Sequence, residues 1–148
     1  MIKTLISGLV ALLDKLSPLF DLALRLYVAN VFWKSGLVKI ASWSSTVSLF
    51  QYEYAVPLLP PEVAAVMGTA VELLVPVFLV FGLGTRMAAI VLFVFNIIAV
   101  VSYPDLNIVG IKDHYLWGAL LLVIIFHGPG KLSLDHLISQ KYHGDRVT

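Results

Sequence analysis

EVAAVMGTAVELLVPVFLVFGL, residues 62–83, is apolar almost throughout, with a single carboxylate, Glu72, near its middle. At about 1.5 Å of rise per residue, a helix of this length crosses the ~30 Å hydrocarbon core of a bilayer. A carboxylate at that depth costs about 3 kcal/mol or more, so it is expected to face the protein interior and to have a partner. Pro76 lies inside the same stretch, where it can kink the helix.

The rest of the chain has the same character. With 59% hydrophobic and 13% charged residues in 148, it is far more apolar than a soluble domain that must cover its own surface. The reading is an all-α membrane protein, an antiparallel four-helix transmembrane bundle with an N-terminal interfacial helix. Residues 1–17 (MIKTLISGLVALLDKLS) place Ile2, Leu5, Ile6, Leu9, Leu12, Leu13 and Leu16 at helical spacing, as expected of a helix lying along the membrane. The segment superficially resembles a secretory signal, but no small-residue cleavage site follows and Asp14 and Lys15 interrupt it, so it is expected to be retained.

Residues 18–130 hold the four expected spans. Pro18 suits the first turn of a helix, and the first span follows it despite Asp21, Arg25, Lys34 and Lys39. Residues 41–61 are polar, then aromatic, then proline-rich, and read as an interfacial helix and loop with Trp43, Tyr52 and Tyr54 as belt residues. The second span is 62–83. Gly82 and Gly84 make a tight turn with Thr85 as the expected cap, and the third span runs over 87–103 with Asn96 as its one strongly polar residue. The fourth covers roughly 113–127, with IVGI before it completing the crossing, and Gly128-Pro129-Gly130 stops it. Residues 131–148 form a short amphipathic stretch and a polar cytoplasmic tail.

After these residues a resemblance can be named. The pattern Arg25, Phe32, Gly36, Lys39, then Glu72 running into GLGTR (82–86), then GPGKLSLD (128–135), resembles the DoxX family of small four-helix membrane proteins. It implies a membrane bundle in a redox neighbourhood, since the family includes membrane subunits associated with quinone-linked sulfur oxidoreductases.

Helical geometry limits which polar groups can meet. Arg25 and Lys34 are half a turn apart in phase and point to opposite faces, whereas Arg25, Phe32, Gly36 and Lys39 share a narrow sector. With the first two spans antiparallel, Arg25 falls within side-chain reach of Glu72, and an Arg25–Glu72 ion pair is the expected partnership. Such a pair is first of all a packing and register device, and alternatively a pocket for a polar head group or proton. Asn96 is expected to bond across helices. Asp113 and His114, with Tyr115 and Trp117, are placed at the outer end of the fourth span, where they serve as cap and aromatic belt or pass protons to a carrier. The residues proposed to contact a carrier are therefore Arg25, Glu72, Asn96, Asp113 and His114.

Several chemistries have no support in the sequence. Without cysteine there is no disulfide framework, thiolate metal site or thiol exchange. The four histidines lack ligand spacing, so no metal site is expected; no serine has a partnered base, and no basic stripe suits nucleic acid. No flavin, haem or iron–sulfur motif is present, so no intrinsic cofactor is expected. The reading is a membrane subunit of a redox complex that binds a quinone or docks a partner oxidoreductase. Its competitor is a non-catalytic anchor or assembly factor for another membrane protein. A small transporter would require a homo-oligomer.

Lys3, Lys15, Arg86, Lys131, Lys141 and Arg146 fall at the termini and second connection, against Lys34, Lys39 and Lys112 at the first and third. Basic residues concentrate on the cytoplasmic side, so a bacterial inner-membrane protein with both termini in the cytoplasm is expected. A cysteine introduced near Thr148 should then resist impermeant label in intact cells and react after lysis. Labelling from outside would reverse the orientation.

Overall fold

The computed structural model describes residues 2–56 and 58–144. The end of the tail expected over 131–148, including Arg146, lies outside the described residues, as does Met1. The elements, all helical among the described residues, are α1 (Ile2–Ala41), α2 (Trp43–Tyr52), α3 (Pro61–Phe81), α4 (Thr85–Ser102), α5 (Ile108–His127) and α6 (Leu134–Gly144).

Three of these, α3, α4 and α5, are long and apolar enough to cross a membrane. Their outward faces remain apolar and exposed, as at Leu74, Phe78, Val94, Ile97, Leu122 and Phe126. That is the arrangement of helices solvated by lipid rather than water. The first expected span differs. The boundary expected at Pro18 is absent: α1 runs for 40 residues straight through it. Pro18 leaves only the Asp14 carbonyl without its helical donor, and the flanking residues continue the helix. At about 60 Å, α1 is twice as long as a bilayer core is thick. Its six charges from Asp14 to Lys39 leave it less apolar than α3, α4 and α5.

The buried face of α1 is Asp21, Arg25, Val28, Ala29, Phe32 and Gly36, at steps of three and four residues, while Lys34 is exposed on the opposite side. This face packs on α3 and α5, and α4 packs on the same two helices, so the four long helices enclose one core of Val28, Ala29, Phe32, Leu79, Ala89, Leu92, Leu121 and Ile124. Gly36 is needed at the closest approach. A Cβ there would lie 2.8 Å from Leu73 and 3.1 Å from the Glu72 Cβ.

The end of the bundle where α3 turns into α4 is tied by the GLGTR and GPGKLSLD segments. Gly82 and Gly84 both have positive φ, 67° and 56°, which closes the turn. Thr85 is not the cap. That role belongs to Asp135, whose carboxylate accepts from Gly84 N at 2.8 Å and Thr85 N at 2.9 Å, while Asp135 N donates to Gly82 O at 2.8 Å. A carboxylate from a distant segment thus satisfies orphan donors at the positive end of α4.

Burial alone would raise the Asp135 pKa, but the Thr85 and Gly84 donors, with the Arg25 charge, outweigh it and hold the carboxyl below its ordinary 3.8. A carboxyl lowered in the native state contributes stability above its unfolded value and loses it as pH falls through the native one. Hydrogen-exchange protection at Gly84 and Thr85, corrected for intrinsic rate, should therefore be high at neutral pH and drop on acidification below about 3.8. Asp135→Asn should lower protection at neutral pH and flatten that acid dependence.

Candidate functional site

Two polar clusters lie at different heights in the bundle. The expected Arg25–Glu72 pair does not form. Arg25 is 1% exposed, and its guanidinium donates to the Leu79 carbonyl at 3.1 Å and to the Leu132 carbonyl. Leu79 is seven residues past Glu72, about 10 Å along α3, so the real register of α1 on α3 carries Arg25 two turns beyond the carboxylate. There it meets a last-turn carbonyl of α3, at the negative end of that helix. Asp21, one turn before Arg25 on α1, is itself buried and lies 3.1 Å from His127 Nδ1. The family-like motifs therefore converge on a structural knot. A Cβ on Gly82 would strike Arg25, and one on Gly130 would strike Asp21.

The partner of Glu72 is Lys39. Its ammonium donates to Glu72 Oε2 at 2.6 Å and Oε1 at 2.8 Å, and the Ser35 hydroxyl donates to Oε1 at 2.9 Å. The pair is largely sealed, with side-chain exposures of 14% for Lys39 and 6% for Glu72. Lys39 was legible as a member of the same face as Arg25, and its long stem lets it reach down from near the end of α1.

The Lys39–Glu72 pair forms part of the wall of a cavity of about 400 Å³ between α2, α3, α4 and the segment after α2. Its other walls are apolar, among them Phe50, Met67, Val71 and Phe95, and it reaches the outer face past Ile90, Val91, Val94 and Ile98 of α4. Two further polar groups line it. The Ser102 hydroxyl is buried with no hydrogen-bond partner. Tyr54 stacks between Phe50, 4.8 Å away, and Tyr103, 5.0 Å away. Burial, with the Glu72 charge behind it, pushes the Tyr54 phenol above its ordinary pKa of 10, so it stays a neutral donor. Ala55 N donates to Ser102 O at 2.7 Å and Tyr103 donates to Glu53 at 2.9 Å, which ties this loop over the end of α4.

The remaining expected residues sit elsewhere. Asn96 bonds across helices, donating to the His114 carbonyl at 3.0 Å and meeting His114 Nδ1 at 2.7 Å. Asp113 is exposed and takes no part in these two hydrogen bonds. Neither Asp113 nor His114 stands at the start of its helix, because α5 begins at Ile108 and is capped by Asn107, which accepts from Gly110 N at 2.8 Å. Trp117 is half-buried and packs edge-to-face with Phe32, with ring centres 6.3 Å apart. Among the described residues no three His, Asp or Glu side chains gather to hold a metal ion.

A sequence model of the DoxX family matches residues 20–104. A protein of Haemophilus influenzae, described only as uncharacterized, is 31% identical over 128 residues, covering 82% of this chain and 84% of its own. No solved structure matches.

The two clusters separate in a double-mutant cycle. Glu72→Ala leaves the Lys39 ammonium without its counter-ion and should cost up to about 3–5 kcal/mol in detergent unfolding, with Glu72→Gln milder. Lys39→Ala and Glu72→Ala should couple by about 1 kcal/mol or more, whereas Arg25→Ala and Glu72→Ala should add within about 0.5 kcal/mol. Strong Arg25–Glu72 coupling would overturn this assignment.

Proposed function

The chain belongs to the DoxX family of membrane proteins, and we propose that it is the membrane subunit of a redox complex, holding a lipid-soluble carrier of the quinone class in the cavity beside Lys39 and Glu72. In this reading the four long helices are antiparallel spans of a bacterial inner-membrane bundle, with both termini cytoplasmic and residues 2–17 running out from it at the membrane surface. The observation that carries the proposal is the cavity itself. It is an apolar space of about 400 Å³ whose few polar groups are an ion pair, a phenol and an orphaned buried hydroxyl. Small-molecule sites have this composition, apolar walls with a few placed polar groups.

The residues present suit a carrier with an apolar tail and an oxygen-bearing ring. Ser102 Oγ is a buried polar atom that lacks a partner, a state that a ligand carbonyl or hydroxyl would relieve. When bound, a quinone would supply two-electron redox chemistry with proton uptake. The chain's own residues bind and orient it: Tyr54 offers a neutral hydroxyl, Ile90, Val94 and Ile98 line the lateral path, and Glu72, held by Lys39 and Ser35, keeps a proton-accepting group at the wall. A partner oxidoreductase delivers the electrons, because the sequence has no motif of its own for a relay.

One observation favours a second reading, that of a non-catalytic anchor. Every residue from Ile2 to Leu16 is exposed, leaving a long apolar helix with none of the described residues packed over it.

The two readings part on carrier retention. Gly68 lies on the cavity wall, where an added Cβ would make ordinary contact with Phe50 at 3.5 Å and a larger side chain would extend into the space. Purified protein should carry quinone near one equivalent, and Gly68→Leu should lose at least tenfold of it while unfolding at a similar temperature. Retention unchanged in Gly68→Leu, or a wild-type protein that purifies empty yet binds its complex, would favour the anchor.

A further inference from the structure

A second cavity, of about 380 Å³, lies on the opposite flank of α4, between it and α5. Its walls are apolar apart from Asn96, His114 and Tyr115, and it shares no lining residue with the cavity beside Glu72. Asn96 decides what His114 can do there. The Asn96 amide nitrogen donates to the His114 backbone carbonyl at 3.0 Å, which leaves the amide oxygen facing the ring nitrogen Nδ1 at 2.7 Å. An amide oxygen only accepts, so Nδ1 carries the proton. In the neutral ring Nε2 is then an unprotonated acceptor. Asn96 is 4% exposed, and Gly118 gives it room, since a Cβ there would sit 3.4 Å from the amide nitrogen. The edge of Trp117, with ring centres 4.8 Å apart, holds the imidazole from another side.

A cross-link between α4 and α5 needs only the Nδ1 contact. It leaves open why the second ring nitrogen belongs to a half-buried side chain on the wall of an apolar cavity within a membrane-facing groove, where an unused polar atom carries a cost. We infer that this groove is a second binding site, which takes an apolar molecule bearing a hydroxyl head, with His114 Nε2 accepting from that hydroxyl. The chemical class is a phenol or alcohol on a hydrocarbon body, met either as a reduced aromatic carrier or as a membrane glyceride. The inference does not depend on the carrier reading of the Glu72 cavity.

Ring-nitrogen NMR of the full chain in nanodiscs, with ¹⁵N-histidine and His114 assigned by its loss in His114→Phe, reads the site directly. His114 should show a protonated Nδ1 and a bare Nε2 at neutral pH. Decyl-hydroquinone should move the Nε2 signal, and its dimethyl ether, which has the same body without the donors, should not. Binding through this hydrogen bond should favour the hydroquinone over the ether by roughly 3- to 10-fold, a preference lost in His114→Phe. Gly68→Leu, which fills the other cavity, should leave the Nε2 response intact. A like shift with dioleoylglycerol would identify the membrane alcohol as the source, and none would identify the aromatic carrier. A protonated Nε2, equal shifts with hydroquinone and ether, or no shift with either hydroquinone or diacylglycerol would overturn the inference.

Discussion

The guanidinium of Arg25, sealed among backbone carbonyls at one end of the bundle, is the interaction on which the architecture depends. It joins three segments far apart in the chain: α1, which carries it, the last turn of α3 through Leu79, and the segment after α5 through Leu132. A buried cation needs compensation, and here two carbonyls accept from the terminal nitrogens and the carboxylates of Asp21 and Asp135 lie near the charge, while Nε is buried without a partner. Two glycines make room for it. Positive φ at Gly82 turns α3 into α4 without a side chain where the guanidinium lies, and Gly130 does the same beside Asp21. The cap that Asp135 places on α4 then follows from the same clasp.

With that end closed, the register of α1 on α3 is determined, and the register decides which cation meets Glu72. Sliding α1 by two turns would present Arg25 to the carboxylate. The clasp prevents it and leaves Lys39 opposite Glu72, with Ser35 one turn away on the same face. The charge pairing in the middle of the bundle is in this sense a consequence of glycines and carbonyls at its end. Lys39 suits the position better, since its flexible stem can lie along the apolar interface while the ammonium reaches inward.

Much of this was readable from residue types alone. The apolar runs of α3 and α4, the stops at Gly82 and Pro104, the inward face of α1 and the small residue at Gly36 all follow from periodicity and side-chain size. What periodicity does not carry is axial register between two helices. Phase around an axis repeats every few residues, so Arg25 and Lys39 look alike as partners for Glu72 until the end contacts are known. Pro18 misled for another reason: proline favours a helix start but does not forbid continuation, and its local cost is outweighed when the flanking turns are good helix formers. Asp113 was conspicuous as a charge and stands outside, whereas the cavity beside Glu72 also draws on Tyr54 and Ser102, two common residues whose importance lies only in where the chain brings them.

The clasp at Arg25 lies at the end where α3 turns into α4, and the cavity beside Glu72 extends toward the other, where Ser102 and the loop after α2 sit. Helices riveted together at one extremity behave as levers. Their free extremities sweep farther than their fixed ones, in proportion to distance from the fulcrum. A splay of about 5° becomes a shift of roughly 2 Å some 20 Å along a helix, comparable to the clearance a flat ring needs to slip between side chains. The Arg25 clasp thus stands where a pivot would, and a splay about it would part the cavity walls near Ser102 while the clasped end stays shut.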